Sequence, residues 1–142
     1  MQPERSQSMA KSFMQMVSEA QAEVAGIDVA EARRRLADDP DTLIVDVCDL
    51  AERRATGMVQ GAIPISSGNL PIAADLEVPE DWRDARLQDR ARPIITVCEL
   101  GPMSVIAAKT LKAMGFEHVT YLDGGTQAWK EAGLPTEPPA DG

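Results

Sequence analysis

The sequence predicts an α/β domain with a mainly parallel central sheet flanked by helices. Two observations carry this prediction: short apolar runs rich in β-branched residues recur along the chain, and helical patterns separate them. The length of 142 residues, with 44% hydrophobic and 26% charged residues, suits one globular domain. Because right-handed crossovers join strands that alternate with helices, most strands are expected to run parallel.

The N-terminal part of the chain carries an amphipathic pattern. Apolar residues recur there at three- and four-residue spacing and predict a helix over residues 9–25 that ends at Gly26. We therefore divide the chain into an N-terminal amphipathic helix extension (1–25), the α/β domain (26–137) and a flexible tail (138–142). The apolar stripe of the helix consists of Phe13, Met16, Val17, Ala20 and Val24.

The elements of the domain follow from the same patterns. A short strand end and a helix come first, with Asp28 as the predicted N-cap. Residues 66–92 contain two prolines and weak periodicity, and we interpret them as a long excursion with about one turn of helix. The main strands are predicted at residues 42–47, 61–65, 93–97 and 118–122, and the later helices at 104–114, ended by Gly115, and at 126–133.

Composition and charge argue against several function classes. A net charge of −9 without a basic stripe argues against nucleic-acid binding. No apolar run reaches the ~20 residues that span a bilayer, and the first residues lack a secretory signal. We therefore expect a cytoplasmic protein with reduced thiols and no membrane partner. Two distant cysteines and a single histidine, His118, indicate neither a disulfide framework nor a metal cluster, so no metal or cofactor is expected.

Cys98 is the first candidate functional residue, because it lies between a predicted strand and a predicted helix in CELGPMS (98–104). The positive end of a helix favours a thiolate, which is the nucleophilic form of cysteine. The amides of the six-residue turn from Cys98 to Met103 can curl around the sulfur, and Gly101 supplies the positive φ that such a curl needs. Pro102 suits the first helical turn. The alternative is a buried, inert cysteine.

Cys48 is placed in the same way, just past the predicted strand that precedes it. The carboxyl ends of parallel strands meet at one edge of a sheet, where functional groups gather. The sequence therefore predicts that Cys48 and Cys98 share a pocket.

The segment from about 43 to 135 resembles a rhodanese domain. The resemblance rests on DVC (46–48), GMVQGAIPI (57–65), CELGPMS (98–104) and LKAMGFEHVTYLDGGTQAWKEAGLP (111–135). It implies a three-layer fold, with the N-terminal helix as an extra element, and it implies sulfur transfer. Cys98 would take a sulfane sulfur from a donor, become a persulfide and pass the outer sulfur to a thiol or similar acceptor. The loop residues expected to bind substrate are Glu99, Leu100, Gly101, Pro102, Met103 and Ser104, with Cys48 and Asp46 as accessory residues.

The chain departs from the family where relatives often carry arginine. Cys48, Ser67 and Met103 stand at such positions, and Glu99 adds a negative charge beside the nucleophile. Losing one charge-assisted contact to a dianion costs roughly 1.5–3 kcal/mol. We therefore expect poor activity with thiosulfate and a neutral, weakly charged or protein-bound sulfane donor, which suits a pocket edged by Leu100 and Met103.

The competing prediction is a rhodanese-like module with weak or no catalysis that binds a partner or senses redox state. The retained cysteine favours the enzyme, and the missing arginines favour the module. A homodimer through the stripe of Phe13, Met16 and Val17 is a further prediction.

Individual residues also keep two interpretations. Cys48 either fills space or forms a disulfide with Cys98, resolving a persulfide or protecting the site. Asp46 organises the strand end through backbone hydrogen bonds or supports the site. Ser104 caps the helix or faces the sulfur. Four arginines either reach the site from a loop or lie on the surface: Arg53, Arg54, Arg83 and Arg86.

Overall fold

A five-stranded parallel sheet forms the centre of the fold in the computed structural model, which describes residues 10–139. The strands are β1 (Ala25–Ile27), β2 (Leu43–Asp46), β3 (Met58–Val59), β4 (Ile63–Pro64), β5 (Ile94–Val97), β6 (Val119–Leu122) and β7 (Thr136–Glu137). The sheet order is β1-β6-β5-β2-β4, and every neighbouring pair is parallel. Strands β3 and β7 form a separate antiparallel pair.

Helices cover both faces of this sheet. They are α1 (Phe13–Gln21), α2 (Val29–Asp38), α3 (Leu50–Thr56), α4 (Leu70–Ala74), α5 (Pro102–Ala113) and α6 (Gly125–Glu131), with short 3-10 turns at Glu80–Trp82 and Ala85–Leu87. Within the described residues, no helix is long and apolar enough to cross a membrane.

The core has one apolar layer on each face of the sheet, because successive strand residues point to opposite sides. Val45 and Ile94 pack with residues of α4 and α5. Ile44 and Ile95 pack with residues of α2 and α6, including Trp129. The predicted three-layer α/β architecture is confirmed.

Helix α1 packs against α5 and is shorter than predicted. Ser12 caps it, accepting the Gln15 N–H at 3.1 Å. The helix begins at Phe13 and ends at Gln21, so the predicted span of 9–25 is too long at both ends. Gly26 does not stop the helix but lies in β1 opposite Tyr121. Val17 is buried within the chain, whereas two other members of the predicted dimerisation stripe, Phe13 and Met16, stay exposed. Residues 1–9 of the predicted extension and 140–142 of the predicted tail lie outside the described residues.

Several short elements were not predicted. Helix α3 has seven residues and a mostly polar sequence, so it shows little apolar periodicity. The β3–β7 pair has two residues in each strand and joins distant segments. Residues 66–92 contain α4 and both 3-10 turns, more structure than the single turn expected. Helix α5 begins two residues earlier than predicted, at Pro102.

Candidate active site

The loop after β5 places the Cys98 thiol at the start of α5. Gly101 is the residue before the helix and has φ +123°, and Pro102 opens the first turn. The Gly101 N–H donates to Cys98 Sγ at 3.1 Å. The predicted curl is therefore present at this amide, and a backbone donor from the positive end of a 12-residue helix contacts the sulfur.

The first turn of α6 holds the other side of this loop. The N–H groups of Thr126 and Gln127 donate to the carbonyl oxygens of Cys98 at 2.9 Å and Glu99 at 3.1 Å. This approach requires glycine at position 125, where a Cβ would lie 2.1 Å from the Cys98 oxygen. Helix α6 therefore holds both carbonyl groups of the loop through its first N–H groups.

A hydroxyl pair fixes the base of the loop. Ser104 is fully buried and donates its hydroxyl to the Gly101 carbonyl at 2.6 Å, while the Thr96 hydroxyl donates to the Ser104 carbonyl at 2.7 Å. The helix cap is Gly101, so the prediction that Ser104 caps the helix is wrong. Ser104 acts on Gly101, and its hydroxyl makes no bond to the sulfur.

Cys98 opens into a cavity of about 350 Å³. Six of the predicted site residues line it, namely Cys48, Cys98, Glu99, Leu100, Pro102 and Met103. The other three, Asp46, Gly101 and Ser104, are not part of its lining. Leu100 and Met103 are 60% and 38% exposed and form an apolar edge. The lining consists of Phe13, Val47, Cys48, Asp49, Glu52, Ser67, Cys98, Glu99, Leu100, Pro102 and Met103.

Both cysteines line this cavity, as predicted, and both thiols are free and buried. The Val47 N–H donates to the Val97 carbonyl at 2.9 Å, so the two chain segments run side by side up to the residue before each cysteine. The predicted backbone role of Asp46 is also observed, because its Oδ1 accepts the Cys48 N–H at 2.9 Å.

The surroundings of Cys48 keep its thiol protonated. Burial raises the pKa of Cys48 well above its ordinary value, and the neighbouring Asp46 carboxylate raises it further. Burial also raises the pKa of Asp46. The second carboxylate oxygen of Asp46, Oδ2, is buried and has no hydrogen-bond partner among the described residues. Cys48 therefore lies beside a poorly solvated carboxyl group that does not itself line the cavity.

The cavity is acidic. Asp49, Glu52 and Glu99 are in its lining, and no lysine or arginine from residues 10–139 is. Arg53 was expected on the surface or at the site, but it is buried and donates Nη1 to the Cys48 carbonyl.

Two other candidate arginines are engaged elsewhere. Arg83 donates to the Val78 carbonyl at 2.8 Å, and Arg86 pairs with Asp84 at 2.7 Å. Neither replaces the guanidinium missing from the cavity.

Five lining residues were not assigned to the site from the sequence, and one of them, Val47, was predicted only as part of a strand. Phe13 reaches it only because α1 packs on α5, and Ser67 was noted only as a lost arginine position. Asp49 and Glu52 carry a usable signal, since an acid three residues before a glutamate marks a helix start. A larger groove of about 780 Å³ between α1, α4 and α5 contains no cysteine in its lining.

Comparisons with known proteins agree with this geometry. The family model of the rhodanese-like domain matches residues 28–132 of this chain. A sulfurtransferase from Allochromatium vinosum is 34% identical over 113 residues, which cover 80% of this chain and 94% of that protein.

Two solved structures share the fold. A Rhodopseudomonas palustris protein described as a possible tyrosine phosphatase has a TM-score of 0.82 and 28% identity, covering 90% of this chain and 96% of that one. The polysulfide-sulfur transferase homodimer of Wolinella succinogenes has a TM-score of 0.69 and 27% identity, covering 87% and 85%. With the family match over most of the domain and a cysteine loop at the expected edge of the sheet, this chain belongs to the rhodanese-like family.

Proposed function

We propose that this chain is a sulfurtransferase that carries sulfur as a persulfide on Cys98. The Cys98 thiolate attacks the sulfane sulfur of a donor, and the bond between that sulfur and the rest of the donor breaks. A thiol acceptor then attacks the outer sulfur and regenerates the thiolate. The observation that carries the proposal is the Gly101 N–H on Cys98 Sγ, inside a cavity large enough for a small donor.

The loop stabilises negative charge on sulfur through few but fixed donors. The Gly101 amide and the start of α5 are held in place before any substrate arrives, so they lose little free energy to reorganisation during the reaction. Pro102 lacks an N–H, which leaves the first helical turn with one donor fewer.

The charge of the cavity defines the class of donor. A dianion such as thiosulfate would face Asp49, Glu52 and Glu99, with no cationic side chain in the described lining to offset them. An uncharged or weakly charged persulfide avoids this repulsion and gains contact with Leu100 and Met103. We therefore propose a low-molecular-weight or protein-bound persulfide as donor and expect thiosulfate to load Cys98 poorly.

A phosphatase function is less well supported, although the Rhodopseudomonas palustris neighbour is described as a possible tyrosine phosphatase. A planar guanidinium suits the binding of a phosphate dianion, because its donors match the oxygens in pairs. The loop from Cys98 to Met103 contains no arginine, and the carboxylates around it repel phosphate.

Intact mass spectrometry of the reduced protein tests the proposal, after exposure to thiosulfate and, separately, to a low-molecular-weight persulfide. We expect one added sulfur from the persulfide, far less from thiosulfate, and none in Cys98→Ser. If folded protein gains no sulfur from either donor, the alternative of a non-catalytic module for partner binding or redox sensing takes its place.

A further inference from the structure

We propose that Cys48 resolves the Cys98 persulfide, forming a Cys48–Cys98 disulfide and releasing the outer sulfur as hydrosulfide. This inference rests on the proposed Cys98 persulfide. It adds a second activity to the site, the reduction of sulfane sulfur to sulfide. The transfer reaction does not require this activity.

The geometry of the two strand ends brings the thiols together. The hydrogen bond from Val47 to Val97 at 2.9 Å ends directly before both cysteines. Neighbouring strands lie about 4.8 Å apart. The register Asp46↔Val97 places Cys98 opposite Val47, so Cys48 lies one residue further along its segment. With a rise of about 3.3 Å per residue, the diagonal Cα separation is about 6 Å, within the range of about 4.4–6.8 Å that a disulfide spans. Both side chains also line the same cavity, and the two thiols are close enough that Cys98 contributes to the raised pKa of Cys48.

The buried carboxylate of Asp46 provides the base for this step. Asp46 is fully buried, and its Oδ2 has no hydrogen-bond partner among the described residues, although a buried carboxylate oxygen normally has one. It lies beside the Cys48 thiol, which burial and this carboxylate keep protonated. An unpartnered acceptor next to a protonated thiol is placed to remove its proton during attack.

The step balances without an external oxidant. Asp46 accepts the Cys48 proton, and Cys48 Sγ attacks Cys98 Sγ. The Cys48–Cys98 sulfur bond forms, and the bond from Cys98 Sγ to the outer sulfur breaks. The Cys48 sulfur is oxidised, and the outer sulfur is reduced and leaves with the electron pair. The proton held by Asp46 passes to this sulfur, which departs as hydrosulfide. A low-molecular-weight thiol or a protein dithiol would then reduce the disulfide and restore both cysteines.

The test follows one loaded protein over time. Wild type and Cys48→Ser are loaded with a low-molecular-weight persulfide, freed of excess donor and analysed under non-reducing conditions by intact mass, with released sulfide trapped. We expect wild type to lose its added sulfur, release one equivalent of sulfide and become two hydrogens lighter than the reduced protein. Peptide mapping should show a Cys48–Cys98 link. Cys48→Ser should keep its added sulfur.

Asp46→Asn separates the base from the thiol. It keeps an oxygen for the Cys48 N–H but removes the proton acceptor, so we expect resolution to slow by about a hundredfold. Loaded wild type that keeps its sulfur as long as Cys48→Ser, and releases no sulfide, would overturn the inference and leave the sulfur carrier intact. Failure of both proteins to load would overturn the proposed function as well. The wild-type result does not depend on the folding of any variant.

Discussion

Cys48 and Cys98 occupy equivalent places at the same sheet edge, yet their surroundings are opposite. Each follows a central parallel strand and precedes a helix. At Cys98 the residue before the helix is Gly101, which has no side chain, so its N–H donates to the sulfur. After Cys48 the corresponding residue is Asp49, which forms a capping box with Glu52, and the Glu52 carboxylate accepts the Asp49 N–H.

The difference shows that a strand-loop-helix turn does not by itself produce a nucleophile. The positive end of a helix stabilises a thiolate only where its amides stay available. In α3 acidic side chains occupy them, and Asp46 adds a further carboxylate beside Cys48. The sulfur of Cys98 thus accepts a backbone hydrogen bond, whereas Cys48 is surrounded by carboxyl groups. This difference agrees with the proposed roles of Cys98 as sulfur carrier and Cys48 as resolving thiol.

The largest effect is expected from Gly125→Ala, which removes the support of the Cys98 loop. The new Cβ would lie 2.1 Å from the Cys98 oxygen and 2.5 Å from the Glu99 oxygen, at φ +61°. Overpacking together with backbone strain should lower the free energy of unfolding by about 3–4 kcal/mol. It should also abolish persulfide loading of Cys98, because the loop can no longer keep its conformation. Urea denaturation and persulfide loading measure the two effects.

Gly133→Ala is the matched control. Its φ of +78° carries a similar strain, but no atom lies within 4 Å of the added Cβ. We expect a loss of about 1–2 kcal/mol with loading unchanged. Equal losses in the two variants would contradict the role given to α6 in holding the loop.

Met103→Arg adds a positive charge to the cavity beside Cys98. Met103 lies at the apolar edge, 38% exposed, where a guanidinium can reach a donor and offset the carboxylates. One new charge-assisted contact should raise the rate of loading from thiosulfate by about tenfold, at the lower end of its usual strength. Met103→Leu keeps the size without the charge and should change nothing. If both variants load alike, charge does not limit the use of thiosulfate.

The protonation of Cys48 has a consequence for stability. The folded pKa of this thiol is raised by burial and by Asp46, whereas an unfolded cysteine titrates near its ordinary value of about 8.5. Above that value the unfolded chain releases a proton that the folded chain retains, so the free energy of unfolding falls as pH rises. Below it the contribution of Cys48 is fully present.

Urea denaturation of the reduced protein at pH 8 and pH 10 measures this effect. Relative to Cys48→Ala, wild type should lose about 1.4 kcal/mol for each pH unit above the unfolded pKa. The stability curves of the two proteins should therefore converge as the pH rises. Curves that stay parallel would mean that Cys48 ionises as readily in the fold as in the unfolded chain.

The sequence predicts those features of the site that lie within one continuous segment of the chain. The strand and the positive φ of Gly101 follow from one short segment, so most of the Cys98 loop could be described before the structure was known. The start of the helix was predicted two residues too late, at 104 rather than at Pro102. The contact of Gly125 with the Cys98 carbonyl joins two elements, and no local pattern indicates it. Sequence patterns place glycine in the turn before α6 but cannot show which backbone it must approach.

The positions of Arg53 and Phe13 were harder to predict for the same reason. Arg53 lies on a short polar helix, a pattern typical of a surface, yet it is buried because its guanidinium binds the Cys48 carbonyl. Phe13 lies far from Cys98 in the chain and reaches the cavity through the packing of α1 on α5. Such positions depend on how helices pack, which the period of apolar residues constrains only loosely.

Ser104→Ala should give the smallest effect, because it weakens the Cys98 loop without distorting it. The variant loses the hydroxyl that donates to the Gly101 carbonyl at 2.6 Å, which should lower the free energy of unfolding by about 1 kcal/mol. Thr110→Ala is the control, since it removes a comparable bond to the Ile106 carbonyl on the same helix, away from the loop.

Stopped-flow alkylation of Cys98 at constant pH separates the two variants. If Ser104 positions Gly101, alkylation should slow a few-fold in Ser104→Ala alone, because the Gly101 N–H then samples orientations that leave the thiolate without its donor. Equal rates in both variants would assign Ser104 to packing. The donor to Cys98 would then be fixed by α6 alone, and the contrast between the two cysteines would depend on the glycine cap rather than on the hydroxyl pair behind it.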